Sequence, residues 1–259
     1  MNDEQSNLLF GSKAIIEFLE IIYTMHAFEQ PKVVIDDPKI VEALKAENAD
    51  SETIIKENKL LYPYYEKKAF CRLLGDFCVF AYESLKNIYE FKPQVAYALA
   101  RKPFIDNVFY FQMLYDNPNG TVDLIFSDNA KEKDVNSNKK IDEQLSEKIT
   151  KMLGFDNDMI YDLRYSQNHY SILTNCNKAL HITTSRANDV INTKSGELNF
   201  VFMQDDEILH YINNYLFTVP MVLLYVAMLV FEIHTKLYGE NQILKKRLEE
   251  LKGFYNPKE

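Results

Sequence analysis

Between Ile208 and Phe231 the chain contains no Asp, Glu, Lys or Arg, and this stretch limits the possible folds more than any other. As a helix it is long enough to cross a bilayer. His210, Asn213, Asn214 and Pro220 interrupt its apolar character, however, and no second stretch of this kind occurs. A helix that is apolar on all sides and not in lipid must be surrounded by other helices. We therefore expect a buried central bundle helix, with a membrane span as the alternative. It would be opened by Asp205, Asp206 and Glu207, whose charges favour a helix N-terminus.

The rest of the sequence supplies candidate partners for such a helix. With only seven Gly and eight Pro in 259 residues, long helices are favoured over a turn-rich β fold. Gly11-Ser12 reads as the cap of an amphipathic first helix running to Phe28, with apolar residues at Ile15, Ile16, Leu19, Ile22, Tyr23 and Met25. Asp37-Pro38 opens a short second helix. From Tyr62-Pro63 to Phe91, residues Phe70, Leu73, Leu74, Phe77, Phe80, Ala81, Leu85 and Ile88 recur at helical spacing. Pro93 breaks that run before a further helix from Gln94 to about Ala100, and Pro103 reads as the start of another, with Phe104, Val108, Phe111, Met113 and Leu114 on its apolar face. Asp116 to Gly120 reads as a turn before an extended pass or short strand over Thr121–Phe126, and 128–140 as a charged loop.

Helices are then expected over Ile141–Leu153, ended by Gly154, and from about Asp156 through the segment that carries Arg164 and His169. Residues 189–193 and 197–202 flank Lys194-Ser195-Gly196 as a small β-hairpin, with Leu198, Phe200 and Phe202 alternating on one face. After Glu232 the charge returns, with Leu237, Leu244, Leu248 and Leu251 as a narrow seam. That helix either extends the bundle or offers a face to a partner. The expected architecture is mainly all-α, a single helical domain. It comprises an N-terminal extension (1–60), a bundle core (61–238) with the hairpin at about 189–202, and a charged C-terminal helix (239–259).

Composition narrows the function. A net charge of −9 argues against a general nucleic-acid coat protein, although a local cationic site remains compatible with it. Cys71, Cys78 and Cys176 form no C-x-x-C pair and read as reduced core thiols. The acidic N-terminus is unlike a secretory signal, so a cytoplasmic location is expected. No Gly-rich phosphate loop or zinc-ligand spacing is present, and no cofactor or metal is called for. His26, His210 and His234 stand at helix ends and read as boundary residues, and His181 as structural.

One arginine, Arg164, stands five residues before His169. Arginine holds phosphate through a planar fork of donors, and histidine exchanges protons near neutral pH. Together they suffice to cleave RNA without metal, one moving protons and the other offsetting charge on the phosphate. The bland alternative is a surface arginine paired with Asp158 or Asp162 beside a hydrogen-bonded histidine. Asn168 and Tyr170 are candidate supporting residues.

Arg164-Tyr165-Ser166-Gln167-Asn168-His169 within a helical bundle resembles the HEPN superfamily (higher eukaryotes and prokaryotes nucleotide-binding). Segments 100–110, 178–184 and 198–202 are also similar to bacterial members with an inserted hairpin. The resemblance covers roughly residues 60–238 and implies a dimerising all-α bundle in which Arg164 and His169 of both chains meet. It implies a metal-independent endoribonuclease with an RNA substrate. Such proteins act as toxins or antiviral defence effectors, under an antitoxin or other regulatory partner. Many active members carry a polar residue directly after the arginine, where this chain has Tyr165. The other reading is a non-catalytic HEPN-like bundle that binds nucleotide, RNA or a protein partner.

Overall fold

The computed structural model describes residues 3–29, 35, 37–46, 50–126, 139–156, 159–168, 170–180 and 205–253. These residues form helices and connections, with no strand among them. The hairpin expected at about 189–202 lies outside the described residues, as does the loop expected over 128–140 apart from its last two positions.

The elements in order are α1 (Asp3–His26), α2 (Pro38–Lys45), α3 (Ser51–Glu57), α4 (Tyr62–Tyr89) and α5 (Pro93–Arg101). A π-helical turn (Lys102–Asn107) follows, then α6 (Val108–Asp116), α7 (Pro118–Phe126), α8 (Lys139–Met152) and α9 (Met159–Tyr165). The last three are α10 (Ile172–Leu180), α11 (Asp205–Tyr238) and α12 (Gln242–Lys252).

Helix α11 is the centre of the bundle, as its composition requires. It packs against α1, α6, α9 and α12, and more lightly against α4, α5 and α10. Val222 to Ala227 are buried without a break, so every side of the helix is covered. By length and composition α11 also passes as a membrane span, but 78% of its most apolar stretch is buried inside the protein. Pro220 sits mid-helix and buried. Two residues before it, the Thr218 hydroxyl donates to the Asn214 carbonyl at 2.9 Å.

Polar groups on α11 are matched by specific partners. Ser84 Oγ donates to the Ala96 carbonyl at 2.8 Å, so the Tyr215 hydroxyl, 2.7 Å away, donates to Ser84. This joins α4, α5 and α11 at one buried point. Tyr215→Phe should lower the unfolding free energy by about 1 kcal/mol without changing the denaturant slope, measured by urea unfolding.

Several boundaries differ from the sequence reading. Helix α1 starts at Asp3, well before Gly11-Ser12. Ser12 is buried and donates to the Leu8 carbonyl at 2.8 Å, a helix-interior bond and not a cap. Thr121–Phe126, read as extended, belongs to α7. Asn117 accepts from the Gly120 amide at 3.0 Å and Pro118 takes the first helical position. The Asn-Pro-Asn-Gly signal is thus a helix cap with proline at N1, chemistry it shares with a turn. Pro103 does not start a helix but lies in the π-helical turn that joins α5 to α6. Proline lacks the N–H and its ring collides with the carbonyl four residues back, and a wider turn relieves both.

The C-terminal seam does extend the bundle. Leu244, Leu248 and Leu251 of α12 are buried against α1 and α11, and Asn241 caps the helix through the amides of Ile243 and Leu244. Gly154, with φ +83°, ends α8 as its position suggested.

Candidate functional site

The expected site begins with Arg164, in the last turn of α9. The helix ends at Tyr165, so Ser166, Gln167 and Asn168 lie outside it. Arg164 is 0% exposed and among the largest fully buried side chains of the protein. Its Nε donates to the Phe104 carbonyl at 2.8 Å and Nη2 to the Ile105 carbonyl at 2.9 Å, both in the π-helical turn. Nη1 and Nη2 grip the two oxygens of Asp142 at 2.8 and 2.9 Å, and Nη1 also reaches Ser146 Oγ at 3.2 Å. A guanidinium has five N–H donors, and every one of them has an acceptor inside the fold.

Asp142 lies on the inward face of α8, with Leu145, Ser146, Ile149 and Thr150. It is fully buried and also receives the Tyr165 hydroxyl and Ser146 Oγ, the latter at 3.1 Å. Tyr165, directly after the arginine, thus completes the carboxylate's shell. The guanidinium carbon stands 4.7 Å from the centre of the Tyr165 ring. The network continues from Ser146 to Gln112 at 2.9 Å and from Gln112 to the Tyr225 hydroxyl at 2.8 Å, reaching α11. Burial, the largest influence, lowers the Arg164 pKa, but the Asp142 charge, its hydrogen bond and the neighbouring tyrosines together outweigh it, and the net shift is upward. Burial pushes the Tyr165 hydroxyl up in spite of the adjacent guanidinium.

The sequence paired Arg164 either with a phosphate or with Asp158 or Asp162 at the surface. Its partner is instead Asp142, 22 positions away on another helix. A signal for this existed: Asp142 occupies an otherwise inward helical row (142, 145, 146, 149, 150), where a charge needs a buried counter-charge.

Of the other expected site residues, Asn168 and Tyr170 are described. His169 lies outside the described residues. The Asn168 side-chain oxygen accepts from the amides of Tyr170 and Ser171, both at 3.0 Å, and braces the link into α10. Tyr170 is 39% exposed, its ring 5.2 Å from that of Phe217 on α11. Ser171 Oγ donates back to the Arg164 carbonyl at 3.1 Å. Arg164 therefore anchors the segment from inside, while Asn168 and Tyr170 shape its surface.

A second polar cluster forms where the ends of α1 and α11 meet the start of α4. His26 and His234, read as boundary residues, face each other with their Nε2 atoms 3.0 Å apart. His26 Nδ1 lies 3.1 Å from the Glu29 carboxylate, and the Tyr238 ring stacks on His26 with centroids 3.6 Å apart. Burial, then the neighbouring His26, lowers the His234 pKa to about 4, with Glu29 opposing. Cys71 Sγ is 3.7 Å from the Tyr238 hydroxyl, and burial raises its pKa. A cavity of about 230 Å³ opens in front of this cluster. Among the described residues no three His, Cys, Asp or Glu side chains are placed to hold a metal ion.

The fold and these two clusters define an all-α bundle with a buried ion-pair network and a separate polar cavity at one end. Compared with models of protein families, with curated proteins and with solved structures, the chain finds no match.

Proposed function

We propose that this chain is a non-catalytic, HEPN-like helical bundle that works by binding and does not cleave RNA through an Arg–His pair. The observation that carries this reading is the occupation of all five Arg164 donors within the fold. To hold a scissile phosphate, the guanidinium would have to leave Asp142 buried and unpaired, at a cost of about 3–5 kcal/mol. That lowers the population of a phosphate-ready arginine by roughly 10²- to 10⁴-fold. A dimer in which Arg164 meets the histidine of a second copy faces the same obstacle, because the side chain does not reach the surface.

The test is incubation of the purified protein and its His169→Ala variant with total RNA in EDTA. No cleavage, or equal background from both, is expected. Fragments ending in a 2′,3′-cyclic phosphate, made by the wild type and lost with His169→Ala, would overturn the reading in favour of the endoribonuclease.

A further inference from the structure

We propose that the cavity at the junction of α1, α4 and α11 binds a compact phosphate-bearing anion. It is a different site from the Arg164 network, and its occupancy does not depend on whether the chain cleaves RNA. One wall is a single face of α4, made by Tyr64, Lys67, Lys68, Cys71 and Arg72 at helical spacing. Opposite lie Glu29, at the end of α1, and Tyr238.

Three cations thus face one carboxylate, in a chain whose net charge is −9. Among the described residues Lys67, Lys68 and Arg72 form no ion pair, whereas Lys13, Lys86, Lys92, Lys102, Lys148 and Lys245 elsewhere each do. Lys68 and Arg72 stand four apart on one helix, where like charges repel, so an anion between them stabilises the arrangement.

The aromatic walls fix the cations and restrict the ligand. The Lys67 ammonium sits 4.8 Å from the Tyr238 ring centre, and that of Lys68 sits 5.3 Å from the Tyr64 ring centre and 3.4 Å from its hydroxyl. The Tyr238 ring is also stacked on His26. Its faces are therefore taken, which favours a small polyanion over a stacked base. A volume of about 230 Å³ is below the usual range for drug-sized ligands and agrees with this. Arg72 supplies the planar fork that matches phosphate oxygens, and the lysines supply point charges.

The phosphate could be free or the end of a phosphomonoester, and calorimetric titration of the full chain separates these sources. The probes are inorganic pyrophosphate, a nucleoside 5′-monophosphate and the parent nucleoside. Binding of pyrophosphate, of the monophosphate, or of both, with none by the nucleoside, is expected. Lys67→Gln with Arg72→Gln should weaken it roughly tenfold or more while leaving the urea midpoint unchanged. Lys13→Gln with Lys86→Gln, on a distant face, should leave affinity as in the wild type. The proposal is overturned if neither phosphate probe binds at millimolar concentration, if the nucleoside binds as well, if the pocket variant binds like wild type, or if the distant variant loses as much.

Discussion

Arg164→Met is expected to destabilise the protein by about 3–5 kcal/mol, because it leaves the Asp142 carboxylate buried without its counter-charge. Asp142→Leu should cost a similar amount by stranding the guanidinium. The double variant should recover most of the loss, since two apolar side chains need no mutual compensation. Urea unfolding of the wild type and the three variants checks this as a double-mutant cycle, read from midpoints at constant slope. A surface arginine kept for chemistry would give a different pattern, with Arg164→Met leaving the midpoint nearly unmoved. Arg164→Lys should also destabilise, because an ammonium cannot serve two carbonyls, a hydroxyl and both carboxylate oxygens at once.

A pronounced loss of stability between about pH 6.5 and pH 4 is the second expected result, traced to His234. Its folded pKa is lowered to about 4, first by burial and then by His26 across the 3.0 Å contact. The sign follows from which state binds the proton more readily. Below about pH 6.5 the unfolded chain protonates this histidine while the folded chain does not, so folding weakens as pH falls. The loss is complete near pH 4, where the folded state also takes the proton, and it totals roughly 3 kcal/mol. Glu29, Cys71 and Tyr238 share this corner, and only the carboxylate favours the charged form of His234. Urea midpoints at several pH values should fall more steeply for the wild type than for His234→Gln. Equal pH dependence of the two would remove His234 as the cause.

Much of the bundle was legible because long apolar periodicity leaves few choices. The uncharged stretch became the central α11, and most of the rows in α1, α4 and α12 became their buried faces, although Tyr23, Met25, Leu73 and Phe80 stand outside them. Local signals that fit two structures were less informative. Asn117-Pro118 caps a helix as well as it makes a turn, and Pro103 fits a π-helical turn as well as a helix start. The polar clusters were hidden for another reason. Their partners lie 22 positions apart for Asp142 and Arg164 and 208 apart for His26 and His234, beyond any local pattern. A motif supplied the arginine, and packing decided what it holds.

The pairing of α1 with α11 also sets a timetable for synthesis. The inward face of α1, with Ile15, Ile16, Phe18, Leu19 and Ile22, packs partly on α4 and partly on α11. The contact between His26 and His234 spans 208 positions, so the first helix is made long before its second partner leaves the ribosome. At ordinary elongation rates that interval is about 10–40 s. During it α4 alone can shield the α1 face, and part of that face stays open to chaperones or to neighbouring nascent chains.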